Sequence, residues 1–445
     1  MVVSSNRKRK LAAVVGVGAV AAGTLAALGG TSEGATKASP ASSISGQTIN
    51  VAIAYPAPKA MLAEFTKQTG VKVNWNYIQW DALQTKIASA AQAKSYFADV
   101  TDVDWSKIGE YYTTKWFMPL NKYFSPATVS KQFPQAASFI RNGQLVGIPM
   151  DASMLVSTEN TSVFKQAGIK SVPKTLTQYE ADLKQIAAKT DVKTPLDIPF
   201  AAAEGLSTYW YETTAAFGGQ VLSSNYSPEF TSPSSPGYKA MAFMVQQYKD
   251  GLVPQAALNE QDYQALQTDQ AHKRTVTALS EYSGDIATIY NVKSDSTVVG
   301  QMKYIPTPGV KGPASNLGNP DGIGIPVNAQ HVAAAVAFIK WMEEPKNQAA
   351  FAGADGTKDE ISTFPLPSNR QGMKDLVKSG KVAGASDLEN LLDNHSQPIF
   401  PAGAPPWYAQ FSTAVQTNLH QVVSGSESLS SAISSIAGTV NSLKG

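Results

Sequence analysis

Apolar and polar positions from residue 47 onward alternate between two rhythms. Residues 48–54 (TINVAIA) put Ile49, Val51 and Ile53 at every second position, the period of a strand with one buried face. Met61, Leu62 and Phe65 then share one helical face before Gly70, which predicts a helix and its stop. Residues 71–78 predict a second strand. Residues 80–93 predict a second helix through Leu83, Ile87 and Ala91, and residues 98–104 (ADVTDVD) a third strand ending in acids. This β-α-β-α-β order is the pattern of an open α/β sheet, where ligands collect at the carboxyl ends of strands. Those ends carry Tyr55 and the pair Asp104 and Trp105.

A similar unit follows from Gly143 (GQLVGIPMDAS), with Val163, Phe164 and Ala167 ahead of Gly168. Thr175, after Pro173, predicts the cap of a helix whose apolar face is Leu183, Ile186 and Ala187. Residues 199–290 read as helix-rich and aromatic-rich, interrupted by a Pro- and Ser-rich loop at 223–236. Strand and turn chemistry returns over 300–326. Residues 330–351 predict one amphipathic helix, and 409–443 one or two helices broken near Gly425.

Length and charge narrow the classes. A chain of 445 residues accommodates about two compact units. With 36 Lys plus Arg against 34 Asp plus Glu, it has no basic footprint for nucleic acid. Cysteine is absent, which excludes disulfides, thiolate chemistry and a lipid-acceptor cysteine. Arg7, Lys8, Arg9 and Lys10 precede an uncharged stretch over 11–30, the layout of a secretory signal; its length also suits a retained membrane anchor. Residues 1–45 are therefore expected to be signal or anchor plus linker, and the remainder exported and soluble, either extracellular or at the outer face of the cytoplasmic membrane.

Several segments, in order, resemble the extracellular solute-binding protein family of ABC sugar importers, which includes maltose- and trehalose-binding proteins. They are the strand at 50–55 with EFTKQTGVKV, then ADVTDVDWSKIGEYYTTKWFMPLNKYF, GQLVGIPMDAS, TENTSVFKQAGIKSVPKTLTQYE and GIGIPVNAQHVAAAVAFIKWMEEPKNQAAF. The resemblance implies a two-lobed periplasmic-binding-protein-like α/β fold with hinge crossovers and a ligand cleft between the lobes. It places crossings near 150–157 and 290–306, a first lobe at 46–152 and 300–365, and a helix-rich second lobe at 153–299 and 366–445. It also implies capture of a mono- or oligosaccharide by a monomer, without cofactor or metal, for delivery to ABC permease transmembrane subunits. Two departures stand out: Ser280, Glu281, Tyr282 and Ser283 replace a frequent Gly-Gly-Ser-Trp, and Asp321 replaces a frequent Trp. Both point to a more polar, more acidic cleft.

A pyranose offers an apolar face and a rim of hydroxyls, so its receptor needs aromatic platforms beside acceptors. Asp104 and Trp105 supply one of each, although Asp104 also suits the cap of a helix starting near Ser106. Asp151 follows the GIP strand at a crossing, as a ligand contact or a turn residue. Tyr55 and Trp80 reach either the cleft or neighbouring helices. Glu204 precedes Tyr209, Trp210 and Tyr211. Side chains rotated by about 100° per residue do not all enter one core, so Trp210 is expected at the cleft. Tyr282, Asp321 and Trp407 complete the candidate ligand contacts.

The alternatives are another small solute (polyol, sugar phosphate, polyamine or ferric ion) and a secreted carbohydrate-active enzyme. The last would pair Asp104 with Glu204 as the two facing carboxylates of a glycosidase. The four histidines lack metal-ligand spacing, and no nucleophile-elbow or phosphate-loop motif occurs in a fitting context. The expectation is a binding protein and not an enzyme.

Overall fold

The computed structural model describes residues 43–260, 262–354 and 365–445; the expected signal or anchor segment lies outside them. Two sheets organise the chain. The first has five strands in the order β2-β1-β3-β11-β6: β1 Thr48–Ile53, β2 Lys72–Tyr77, β3 Val100–Asp104, β6 Ile148–Asp151 and β11 Asp321–Gly324. A short hairpin, β4 Ile140–Arg141 and β5 Gln144–Leu145, precedes β6. β1 runs parallel to β2 and β3, whereas β11 is antiparallel to both β3 and β6. The helices Lys59–Thr69 and Trp80–Ala93 link the parallel strands, as their periodicity predicted, and Gly70 at φ 72° ends the first of them.

β11 arrives late in the chain and enters between β3 and β6. Two glycines permit this. A Cβ on Gly322 would sit 2.7 Å from the Phe139 ring and 2.8 Å from the Ile148 carbonyl oxygen, and one on Gly324 would sit 2.7 Å from a Val103 methyl. A side chain at either position would push the strand out of the sheet.

The second sheet is antiparallel, ordered β8-β7-β9, from β7 Leu155–Asn160, β8 Thr277–Tyr282 and β9 Met302–Ile305. β10 Asn316–Gly318 pairs in parallel with β12 Ser396–Pro398. The chain first passes between the large sheets at 151–155, inside the expected crossing. Its return corrects the expectation: β9 pairs with β7, so the passage back lies between 305 and 321 and not at 290–306. A buried hydrogen-bond network braces it. Glu212 accepts from Thr307 Oγ1 (2.8 Å), Asn316 Nδ2 (3.3 Å) and Leu317 N (2.8 Å), while Asn316 Nδ2 also donates to the Leu155 carbonyl (3.0 Å).

Two helical expectations change. The single helix over 330–351 is two, Val332–Met342 and Pro345–Phe351, because Pro345 cannot continue a helix but suits the first turn of the next. The helix Glu204–Ala216 is buried on every side from Gly205 to Ala216. Tyr209, Trp210 and Tyr211 all enter the interior in different directions. Trp210 has no exposed surface, donates its indole N–H to the Gly237 carbonyl (2.9 Å) and packs on Phe230. Its expected cleft position is corrected: a helix wrapped on all sides has core in every direction. The C-terminal region forms the expected pair, Tyr408–Val423 and Leu429–Lys444, with Gly425 at φ 81° between them.

Among the described residues, no helix is long and apolar enough to cross a membrane.

Candidate ligand site

Strand alternation and the insertion of β11 gather four carboxylates at one end of the five-stranded sheet. Asp102 and Asp104 stand two residues apart on β3 and so share a face. In register, Asp321 at the start of β11 lies opposite Asp104 on one side and Asp151 on the other. The β11–β6 register slips between Asp321 and Gly322, an irregularity that re-aims side chains at a sheet's end.

Each acid has a partial set of donors. Asp104 accepts from Ser106 N (2.7 Å), from the Ser106 hydroxyl and from Trp80 Nε1 (3.1 Å). The expected cap is therefore present, and the same carboxylate also holds an aromatic ring. Asp151 accepts from Leu366 N (2.6 Å) and Tyr55 Oη (2.9 Å). Tyr55 Oη also lies 3.4 Å from Asp321 Oδ2. Asp102 takes the Gln84 amide on Oδ2 (2.8 Å), and its buried Oδ1 has no partner.

Burial and like charge set the electrostatics. Burial raises Asp102, with the Asp104 charge next, and raises Asp321, with Asp102, Asp104 and Asp151 adding to it. Asp104 is raised by burial against the opposing hydrogen bonds from Ser106. Asp151 is pushed up to about 6 by burial. Tyr55 is also raised, by burial first and then by Asp151 and Asp321. A carboxylate kept from water beside others holds its proton more tightly.

Aromatic surface borders the cluster. Trp80 is 37% exposed and Tyr77, at the end of β2, 48%. Trp105 is half-buried, its ring 5.3 Å from Tyr408 and 6.3 Å from Phe400, so a residue following β3 meets the segment at 400–408. Glu204, in the first turn of its helix, accepts from the Tyr408 hydroxyl, Ser412 Oγ (2.7 Å) and Gln416 Nε2 (3.1 Å). Trp407 packs edge-on against Tyr226 (5.8 Å), and Tyr282 lies 4.6 Å from Tyr263. Arg141 pins the same seam, donating to Tyr226 Oη (2.6 Å) and to the carbonyls of Ala402 and Ala404 (both 3.2 Å). The approach is close: a Cβ on Gly109 would fall 2.3 Å from the Ala404 carbonyl oxygen.

Tyr55, Trp80, Asp104, Asp151 and Asp321 thus form one connected group. Trp105 and Glu204 meet through Tyr408, Trp407 joins them through Phe411 and Phe400, and Trp210 is core. Of the acidic departures, only Asp321 reaches the cluster. Glu281 is fully buried, accepting from Tyr290 Oη (3.1 Å) and the Gln270 amide. Sequence reasoning passed over Asp102, whose two-residue offset from Asp104 was a readable signal. It also missed Ser412 and Gln416, which with Tyr408 find Glu204 only through folding. A cavity of about 1060 Å³ lies beside Tyr211, Phe217, Lys311 and Ile399 and is lined by none of the nominated residues. Its wall carries Glu229 and Lys311 as charged residues beside the polar Gln220, Ser315 and Gln397. Asp197, Glu260 and Asp269 bring carboxylate oxygens within 4.8 Å of one another beside β8, and Asp269 is paired with Arg274 at 2.7 Å.

A pair of α/β sheets joined by chain crossings, with acids and rings gathered at one end of the larger sheet, defines the two-lobed class of solute-binding proteins. Residues 49–349 match the model of the bacterial extracellular solute-binding protein family, and the chain belongs to that family. Maltose-bound MalE3 of T. maritima superposes with a TM-score of 0.72 at 19% identity, over 89% of this chain and 99% of that one. A chitin oligosaccharide binding protein gives 0.71 at 16%, over 89% and 98%. The diacetylchitobiose binding protein DasA of Streptomyces coelicolor is 27% identical over 197 residues, 43% of this chain and 46% of DasA, so that match spans about half of the relative's length.

Proposed function

We propose that the protein captures a mono- or oligosaccharide between two lobes built on the two sheets and hands it to the permease subunits of an ABC importer. The observation that carries this reading is the group Trp80–Asp104–Asp321–Tyr55–Asp151: ring surface and acceptors placed together where the sheet ends. Rings cover a pyranose's C–H face while carboxylates accept from its rim, each such charge-assisted bond contributing about 1.5–3 kcal/mol. Family membership and the ligands named for maltose-, ribitol- and chitin-oligosaccharide-binding neighbours support a sugar or polyol over a metal ion. Closure would act through differential contact, with ligand bonds to both lobes favouring the closed form. Export through the segment at 11–30 and action as a monomer belong to the same reading.

A thermal-shift panel of sugars, polyols, polyamines and metal ions on the mature chain tests it, since a ligand that binds only the folded form raises Tm. Sugars are expected to raise Tm and to be recovered intact. Shifts from metal ions alone would overturn capture of a sugar, and cleaved sugar would establish a carbohydrate-active enzyme instead.

A further inference from the structure

The acid cluster is richer than a neutral sugar requires. A phenol has one proton to donate, yet Tyr55 Oη faces both Asp151 Oδ2 at 2.9 Å and Asp321 Oδ2 at 3.4 Å, so two acids compete for one donor. Asp102 is fully buried on the same strand face as Asp104, with Oδ1 unpartnered, and its charge is the largest that Asp321 feels. Lys107 bears on the group as a cation beside Asp104. A bare metal ion draws its ligand oxygens into one tight shell. Among the described residues, the three-carboxylate set that converges so is Asp197, Glu260 and Asp269, at another place in the fold. The four site acids are instead spread over β3, β6 and β11, which suits several N–H donors on a wider frame.

Resting on the sugar-capture reading, we propose that the captured sugar carries a protonated amine, seated among Asp102, Asp104, Asp151 and Asp321. Hydroxyls alone leave the mutual repulsion of these acids in place, whereas an ammonium offsets it. Burial and like charge raise Asp102 and Asp321, so the free chain holds protons there more tightly than it would with an ammonium beside them. An ammonium ligand enters with its own proton and displaces one from a carboxylic acid to the buffer, so binding releases protons.

Calorimetric titration of the mature chain tests this with glucosamine, N-acetylglucosamine, glucose, their β-1,4-linked disaccharides and spermidine, in two buffers of different ionisation enthalpy. The amine sugar is expected to bind about 10-fold tighter than its neutral counterparts, the difference between charged and neutral hydrogen bonds. Its heat should differ between buffers in the sense of proton release. In Asp321→Asn, the ratio of amine to neutral affinity should move toward one. Neutral sugars binding as tightly or tighter, or an unaltered ratio in a folded Asp321→Asn, overturns the amine and leaves sugar capture standing. Binding of spermidine alone, or of none of the panel, overturns both.

Discussion

Glu212 and the four acids at the sheet's end are buried in opposite ways. Glu212, at the passage between sheets, is surrounded by donors: two side chains and a backbone N–H converge on one carboxyl group. Burial still lifts it to about 8, but its acceptors are satisfied and it ties a helix to the returning chain. Asp102, Asp104, Asp151 and Asp321 have instead been placed beside one another, with one carboxylate oxygen left bare. A buried acid given donors serves as a brace; buried acids given like charges are a cost that a ligand can offset. The same residue type thus braces the fold in one place and forms the proposed ligand site in another, and its partners distinguish the two.

The contrast can be broken most forcefully in the interior. Trp210→Ala should lower stability by about 3–5 kcal/mol, read by urea denaturation, because it empties a fully enclosed site. Glu212→Ala leaves the Leu317 N–H and two side chains without their acceptor and should cost about 3 kcal/mol. The conservative Glu212→Gln sharpens the point through pH. A carboxyl group raised from 4.5 to about 8 contributes stability that is full below 4.5 and lost as pH climbs through 8. The wild type should therefore lose stability relative to Glu212→Gln between pH 5 and pH 8.5, and parallel stability curves would contradict this.

At the other acids the sign reverses. Asp102→Asn removes an acid whose charged form burial and Asp104 both disfavour, and should stabilise the free chain at pH 8 by about 1 kcal/mol while weakening ligand binding. Trp80→Ala, at a partly exposed ring that donates to Asp104, should cost about 1 kcal/mol of stability and weaken sugar binding by about 1–2 kcal/mol, measured by titration.

How far the sequence reached follows the range of the forces involved. Period-two and helical spacing located β1, β2, β3 and their linking helices; Asp104 and Asp151 were named because they stand at strand ends, and Asp321 because it departs from a frequent Trp. Thr175 capped the helix Leu176–Lys189 as local chemistry required. Pro345 was visible and should have divided the helix at 330–351. Trp210 failed for a different reason: rotation about a helix says where side chains point, not whether core lies on one side or on all. That Asp321 would sit between Asp104 and Asp151 depended on β11 inserting more than 200 residues after β3, a long-range pairing that no local pattern encodes.

The narrow gap at Gly109 limits what this seam tolerates. A single added carbon there would act as a wedge between the turn of Ile108–Thr114 and the backbone at 404–406, levering Trp105 away from Phe400 and Tyr408. Gly109→Ala would therefore pry the seam apart without touching an acid or a ring, so that one added methyl decides whether the backbone at 404–406 can lie against this helix.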